Sequence, residues 1–342
     1  MQRSIKRIIG LDAHSRICEA CVTDLTGVVI EPVSFQTTAY NLIKLAHRFP
    51  EAVFVLEEST MAQWFVETLS PHSADVFVSE PKQNKWITSG MKSDRLDAYK
   101  LATMYRLGTL RRVHHSLDHG LVEFKRAVQY REHLVRQGTR LKNWIKAKFR
   151  EYGVVPKGYL VYNSGPREVI MKQLPESAQA RLRHAYDRLD QLEQQEKEAE
   201  RQMIEQGRRF PEVTRFTAVP GVGTIGACTF FAFVQIPKRF PDKHDLWSYA
   251  GLKVVSKESA GKSIGRPHLT TGGVKALKTM SRHAFLGALR TAQGDNPIAH
   301  YYRRRREAGL KEHVARLTTQ RKILSILLHL WNTGEEFNPN KV

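Results

Sequence analysis

The chain has 342 residues, enough for two or three domains, and its 54 Lys and Arg against 34 Asp and Glu leave a formal charge of +20 and a pI near 10.0. An excess of that size, spread over the whole length, points to a polyanionic partner: nucleic acid first, with a ribosome or an acidic membrane surface explaining the charge equally well. No apolar run reaches membrane-spanning length, no secretory signal follows Met1, and three cysteines are too few for a disulfide framework, so a reducing, cytoplasmic setting is expected. Cys18 and Cys21 form a C-x-x-C with no second pair and read as small buried hydrophobes rather than as a metal or redox site.

Ile5 to Leu11 reads as a buried strand with Asp12 at its end. Ile17 to Thr23, a turn at Thr26-Gly27, and Val28 to Phe35 with Pro32 near the edge continue as neighbouring antiparallel strands. A helix over Asn41 to Arg48 leads to the apolar strand Ala52 to Leu56, which closes in Glu57-Glu58. A helix from Trp64 to Leu69 and a short strand from Ala74 to Val78 follow, so the segment is an α/β layer around a central sheet.

In Lys92-Ser93-Asp94-Arg95-Leu96-Asp97-Ala98, two aspartates three residues apart open a helix that runs to Leu107, and that spacing places both carboxylates on one face. Taken alone, this stretch reads first as a solvated helix start, capped by Ser93 or Asp94 and neutralised by Lys92 and Arg95. The other reading is a divalent-metal site. Asp12 and Glu57 end two strands, Asp94 and Asp97 open a helix, and open α/β sheets gather ligands outside the carboxyl ends of their strands. Four such carboxylates suit Mg²⁺ or Mn²⁺, and a pair of these ions supports phosphodiester displacement.

Gly10-Leu11-Asp12, Val55-Leu56-Glu57 and Lys92 to Ala98 resemble, in that order, the DEDD tetrad of the RuvC-like, Holliday-junction-resolvase-like domain in a family of bacterial insertion-sequence transposases. The resemblance implies an RNase H/resolvase-like α/β domain over 1–112. Because known members are recombinases guided by a bridge RNA, it also implies a structured guide RNA beside DNA. Glu57 matches the family glutamate better than Glu58, since it directly follows the apolar strand.

Arg111-Arg112-Val113-His114-His115 marks a boundary, and 113–207 reads as a basic helical or coiled-coil linker domain. Phe124 to Tyr152 is a long amphipathic helix whose polar face carries Arg140, Lys142, Lys146 and Lys148 among few acidic residues, a pattern that favours phosphate contacts over a merely solvated face. Tyr152 to Gly165 reads as a linker. The following helices, through Gln206, space Leu182, Tyr186, Leu189, Leu192 and Met203 roughly by heptad. That stripe suits a contact between protomers or a hairpin with the basic helix.

In the third part, 208–342, Pro220-Gly221-Val222-Gly223 enters a helix as in a helix-hairpin-helix-like motif. Backbone amides at Gly221 and Gly223 can meet a phosphate there, although tight helix packing needs the same glycines. No Gly-x-Gly-x-x-Gly fingerprint or Walker lysine is present, so no nucleotide cofactor is expected. This segment, with Phe240 to Trp247, Tyr249-Ala250-Gly251-Leu252 and Ser259-Ala260-Gly261-Lys262, resembles the carboxy-terminal transposase domain of the same family.

The resemblance implies that Ser259 attacks a DNA phosphate, with Ser256 and Ser263 as alternatives. Ser-Ala stands where the family has Ser-Gly, and Thr271-Gly272-Gly273 stands where it has Lys-Arg-Gly. Lys257, Lys262, Arg266 and His268 are close enough in sequence to stabilise the phosphorane, or to form a Ser/Gly/Lys-rich surface loop that merely touches phosphate. Helices from Val274 to Ala292, from Asn296-Pro297 onward, and from Val314 to Trp331 complete an α-rich domain. Arg303 and Arg304, within a run of four arginines beside Tyr301-Tyr302, are further phosphate contacts.

The sequence therefore reads as a transposase or site-specific recombinase of a mobile element. Asp12, Glu57, Asp94 and Asp97 are the expected Mg²⁺ or Mn²⁺ ligands, and Ser259 the nucleophile. The family implies a homodimer assembling to a tetramer, with the two sites meeting across protomers. The alternatives are a Holliday-junction-type metal nuclease without a covalent intermediate and a non-catalytic nucleic-acid-binding protein.

Overall fold

A computed structural model describes residues 4–81, 93–259 and 262–342, with the side chains of 257–264 and 292 outside the description. Residues 1–118 and 119–342 form two compact units. No helix among the described residues is long and apolar enough to cross a membrane.

The first unit is mixed α/β. Its strands β1 (Arg7–Ala13), β2 (Ile17–Thr23) and β3 (Val29–Gln36) are followed by α1 (Ala39–Arg48), β4 (Ala52–Glu57), α2 (Ala62–Leu69), β5 (Asp75–Ser79), α3 (Asp94–Arg106) and the two-residue β6 (Arg112–Val113). The sheet order is β3-β2-β1-β4-β5-β6. β1 to β3 form an antiparallel meander, β4 and β5 run parallel to β1, and β6 returns antiparallel to β5.

β1 and β4 are almost wholly apolar because both faces of the sheet are covered at its centre. On one face Ile9, Leu11, Phe54 and Leu56 pack with Leu42, Leu45, Phe65 and Leu69 of α1 and α2. On the other, Ile8, Val53 and Val55 meet Leu101 and Ala102 of α3. Pro32 lies on the edge strand β3, where a missing backbone donor costs least. The sequence gives no sign of β6, whose pairing is reinforced by Arg112: its guanidinium forks onto the Asp75 carboxylate at 2.7 and 2.9 Å.

The second unit contains α4 (His119–Glu151), α5 (Ser164–Met171), α6 (Glu176–Gly207), α7 (Pro211–Thr217), α8 (Thr224–Val234) and α9 (Lys243–Tyr249). The hairpin β7 (Val254–Ser259) and β8 (Lys262–Leu269) follows, then α10 (Lys275–Arg290), α11 (Pro297–Glu307) and α12 (Glu312–Thr333). α8 is the centre of this unit, buried from Ala227 to Val234. Around it Phe124 of α4, Met203 of α6, Phe216 of α7, Ala284 of α10 and Leu327 of α12 share one core.

One open reading is decided here and one expectation changes. The stripe of α6 packs against α4 of the same chain: Leu182 and Leu189 with Ile145 and Phe149, Leu192 with Leu134, and Met203 with Phe124 and Val128. Of the two readings of this stripe, an antiparallel hairpin with the basic helix of the same chain is the one these contacts bear out. The segment around Ser259, read as a loop, is a twisted antiparallel hairpin with a bulge between Val255 and Lys257.

Candidate functional site

Strand register builds the acidic site. Leu11 of β1 is paired with Leu56 of β4, and the next residues along these parallel strands are Asp12 and Glu57. Side chains alternate along a strand, so Asp12 shares a face with Ile8 and Gly10, and Glu57 with Val53 and Val55. That is the face on which α3 lies. Gly10 makes the approach close: a Cβ there would sit 1.9 Å from the Ala98 carbonyl oxygen. α3 then presents its first turn, with Asp94 and Asp97, to the end of β1.

Ser93, not Asp94, caps this helix, its hydroxyl accepting from the Leu96 amide at 3.3 Å. The Asp94 carboxylate is thereby left to face Asp12. Donor atoms of Asp12, His14 and Asp94 all lie within 4.8 Å of one another, a set able to hold a cation. Asp97 and Glu57 are not in this donor group; the charge of Asp97 acts on Asp12, and its carboxylate is ion-paired with Lys100 at 2.9 Å. Arg95 turns to Glu19 at 3.5 Å, while Lys92 lies outside the described residues.

Burial raises the Asp12 carboxyl above its ordinary range; His14 opposes the shift, and the charges of Asp94 and Asp97 add to it. Negative charge gathered around the half-buried Asp12 is stabilised by a cation. The donors are mainly hard oxygens, which fits Mg²⁺ or Mn²⁺. Glu58, the alternative to Glu57, is engaged elsewhere: its carboxylate meets His115 Nε2 at 2.7 Å, and His115 Nδ1 meets Gln63 at 2.9 Å.

Two residues of this face escaped the sequence reading. Glu19 of β2 is the register partner of Asp12 and therefore points to the same face; one of its oxygens accepts from Ser34 at 2.6 Å. His14 stands 3.2 Å from the Asp12 carboxylate. The Asp-x-His spacing at a strand end was the available signal for His14, whereas Glu19 had none until the register was known.

In the second unit, the side chains of Ser259, Lys257, Lys262 and Ser263 lie outside the description, and the backbone pairs Ser259 with Lys262 at the hairpin end. Ser256, Arg266 and His268 are exposed. The base of the hairpin is tightly held. Gly251 and Gly273 pass backbone against backbone, and Arg321 of α12 donates to the Leu252 carbonyl at 2.6 and 3.0 Å.

Gly221 and Gly223 have different surroundings. A Cβ at Gly221 would strike the α10 backbone at Ala284 and Ala288, so this glycine permits helix packing, whereas Gly223 caps α8 with open space beside it.

The basic face of α4 is less free than its composition suggests. Arg131 meets Glu196 and Glu200, Lys142 meets Glu193 at 2.7 Å, and Lys148 meets Glu151. These acids come mostly from α6, which local sequence around α4 does not reveal. Arg140 is exposed, and Lys146 lies over the rings of Tyr159 and Tyr162. Arg303 and Arg304 are exposed on α11. Nearby on α12, Lys322 has its pKa lowered by burial and by Lys243, Arg304 and Arg305, so four cations converge on one surface.

Comparison with known proteins agrees with these observations. Residues 9–154 match the DEDD model of IS110 elements, described as a transposase, and residues 213–303 match the model described as transposase, IS116/IS110/IS902 family. The "Insertion element IS110 uncharacterized 43.6 kDa protein" of Streptomyces coelicolor is 35% identical over 118 residues, 34% of this chain and 28% of that protein. The "Putative transposase y4pF/y4sB" of Sinorhizobium fredii is 25% identical over 250 residues, 70% of this chain and 62% of that protein. The matches thus span less than two thirds of either relative. The two family matches together cover more than half of the chain, and the chain belongs to the IS110 family of transposases.

Proposed function

We propose that this chain is the DNA transposase of an insertion element, a recombinase that cuts and rejoins strands with divalent metal at Asp12, Glu57, Asp94 and Asp97 and with Ser259 as nucleophile. The observation that carries the metal half is the convergence of Asp12 and Asp94, from a strand end and a helix start, within a match to a DEDD transposase domain. Glu57 shares the face of Asp12, and its neighbour Glu58 is held by His115. A bound Mg²⁺ or Mn²⁺ ion would supply charge neutralisation at the phosphate and activation of the attacking oxygen. The carboxylates position it, and the backbone contact at Gly10 keeps α3 over the strand ends.

In the second unit, the Ser259 hydroxyl attacks the scissile phosphorus, the bond to the deoxyribose oxygen breaks and that oxygen takes up the proton serine gives up, so one phosphodiester is exchanged for a serine–DNA linkage and rejoining is the reverse step. Arg266 and the exposed cations Arg303 and Arg304 are suited to hold the DNA backbone. A structured guide RNA and a homodimer assembling to a tetramer complete the reading on the strength of the family resemblance, and a division at residues 112 and 207 rests on the change of residue pattern at those points.

The test is Ser259→Ala on DNA carrying the ends of the element. The expected result is loss of the covalent protein–DNA species and of strand exchange. Metal-dependent cleavage persisting without such a species identifies a metal nuclease instead. DNA binding without cleavage by the wild type, unchanged in Asp12→Asn and Asp94→Asn, identifies a non-catalytic binding protein.

A further inference from the structure

His14 has no part in the four-carboxylate reading, yet it is the residue that stands with Asp12 and Asp94 in the tight donor group. It lies just past the end of β1, two residues beyond Asp12, which brings both side chains to the same side of the strand end. Its backbone is fixed: the His14 carbonyl accepts from the Thr37 hydroxyl at 2.7 Å, and the Thr37 amide donates to Arg16 at 2.9 Å, closing the β1–β2 turn. The imidazole is therefore presented from an ordered turn. Its Nε2 is 3.2 Å from Asp12 Oδ2, and the three donors all lie within 4.8 Å of one another. Two ligands on opposite sides of one Mg²⁺-sized ion are about 4.2 Å apart, so an adjustment of at most about 0.6 Å lets all three share an ion.

Building on the metal reading proposed above, we propose that His14 is a nitrogen ligand to the ion shared by Asp12 and Asp94, and that it biases this position toward Mn²⁺ over Mg²⁺. Mg²⁺ demands oxygen donors and gives up water reluctantly, so an imidazole adds little to its binding. A first-row transition ion gains from a nitrogen donor in a way Mg²⁺ does not. The alternative is a plain His–Asp ion pair. That pair would compete with a metal for Asp12, so removing the imidazole would leave Mn²⁺ affinity unchanged or improve it.

Mn²⁺ and Mg²⁺ binding to the full chain, by Mn²⁺ EPR titration and competition, decides the matter with wild type, His14→Ala, His14→Asn and Asp12→Asn. The expected result is a fall in Mn²⁺ affinity of about tenfold or more in both His14 variants, with Mg²⁺ affinity changed by less than about threefold. A ¹⁴N coupling in the pulsed EPR spectrum of the wild type would vanish in both. His14 is exposed on its side chain, and thermal melts of both variants check that the unit stays folded. Unchanged or tighter Mn²⁺ binding without His14, or a wild-type spectrum lacking nitrogen coupling, overturns the His14 assignment while Asp12→Asn still loses metal. Undiminished binding in Asp12→Asn overturns the metal reading itself.

Discussion

Gly10 and Ala98 touch backbone to backbone: a methyl group on Gly10 would lie 1.9 Å from the Ala98 carbonyl oxygen and 2.8 Å from the Ala102 amide nitrogen. Neither of those atoms is the tip of a flexible side chain, so α3 itself must move if residue 10 gains a Cβ. Gly10→Ala is expected to destabilise the first unit by about 2 kcal/mol or more through overpacking. The same displacement draws Asp94 away from Asp12, so metal affinity falls with it. Urea denaturation of the two proteins measures the first effect; equal midpoints would show that α3 does not rest on this contact.

Glu57 and Glu58 are adjacent yet differently placed, one continuing the face of Asp12 and the other held by His115. Glu57→Gln is therefore expected to weaken Mn²⁺ binding by about tenfold or more, while Glu58→Gln leaves it within about twofold. The reverse ranking in a metal titration would reassign the ligand.

Gly265 and Gly273 both adopt left-handed backbone, with φ of 79° and 89°, in very different surroundings. Space beside Gly265 is open, so Gly265→Ala pays only the conformational penalty of about 1–2 kcal/mol. At Gly273 a Cβ would meet the Gly251 amide nitrogen at 2.5 Å, and Gly273→Ala is expected to cost more and to loosen the hairpin base. Thermal melts give the ranking, and limited proteolysis within 252–270 reads the loosening. A Gly265 variant less stable than the Gly273 variant would contradict the packing described for this base.

Cys228 is fully buried beneath α4 and α6, and burial pushes its thiol up to about 11 from an ordinary value of 9.0. At pH 8 it is expected to resist thiol reagents until the unit unfolds. The folded state holds this proton more tightly than the unfolded one, so the contribution is constant below about 9 and stability declines as pH rises from about 9 to about 11. Cys228→Ala, compared with wild type in urea at pH 8 and pH 10, should flatten part of that decline; an identical decline in both places its origin elsewhere.

Much of the first unit was legible because burial on both faces writes itself into composition. The apolar runs at Ile8 to Leu11 and Ala52 to Leu56, the edge Pro32 and the Ser93 cap each announce their place in the sheet or helix. What stayed hidden depends on pairing between distant segments. β6 is two residues long and exists through β5 and Asp75; Glu19 reaches the site only through its register with Asp12; and the acids facing Arg131 and Lys142 arrive from α6. The α6 stripe shows the same ambiguity. Heptad spacing states that a helix has an apolar seam and leaves the partner open, and here the partner is α4.

The carboxylates around Asp12 are proposed to make this chain a metal-dependent DNA-cleaving enzyme. Strand cleavage of DNA carrying the ends of the element, with wild type and Asp12→Asn in Mg²⁺, in Mn²⁺ and in EDTA, is the deciding measurement. The expected result is cleavage by the wild type with either metal, none in EDTA, and a loss of about 10³-fold or more in Asp12→Asn. Wild-type cleavage by Asp12→Asn, or cleavage indifferent to EDTA, would contradict it.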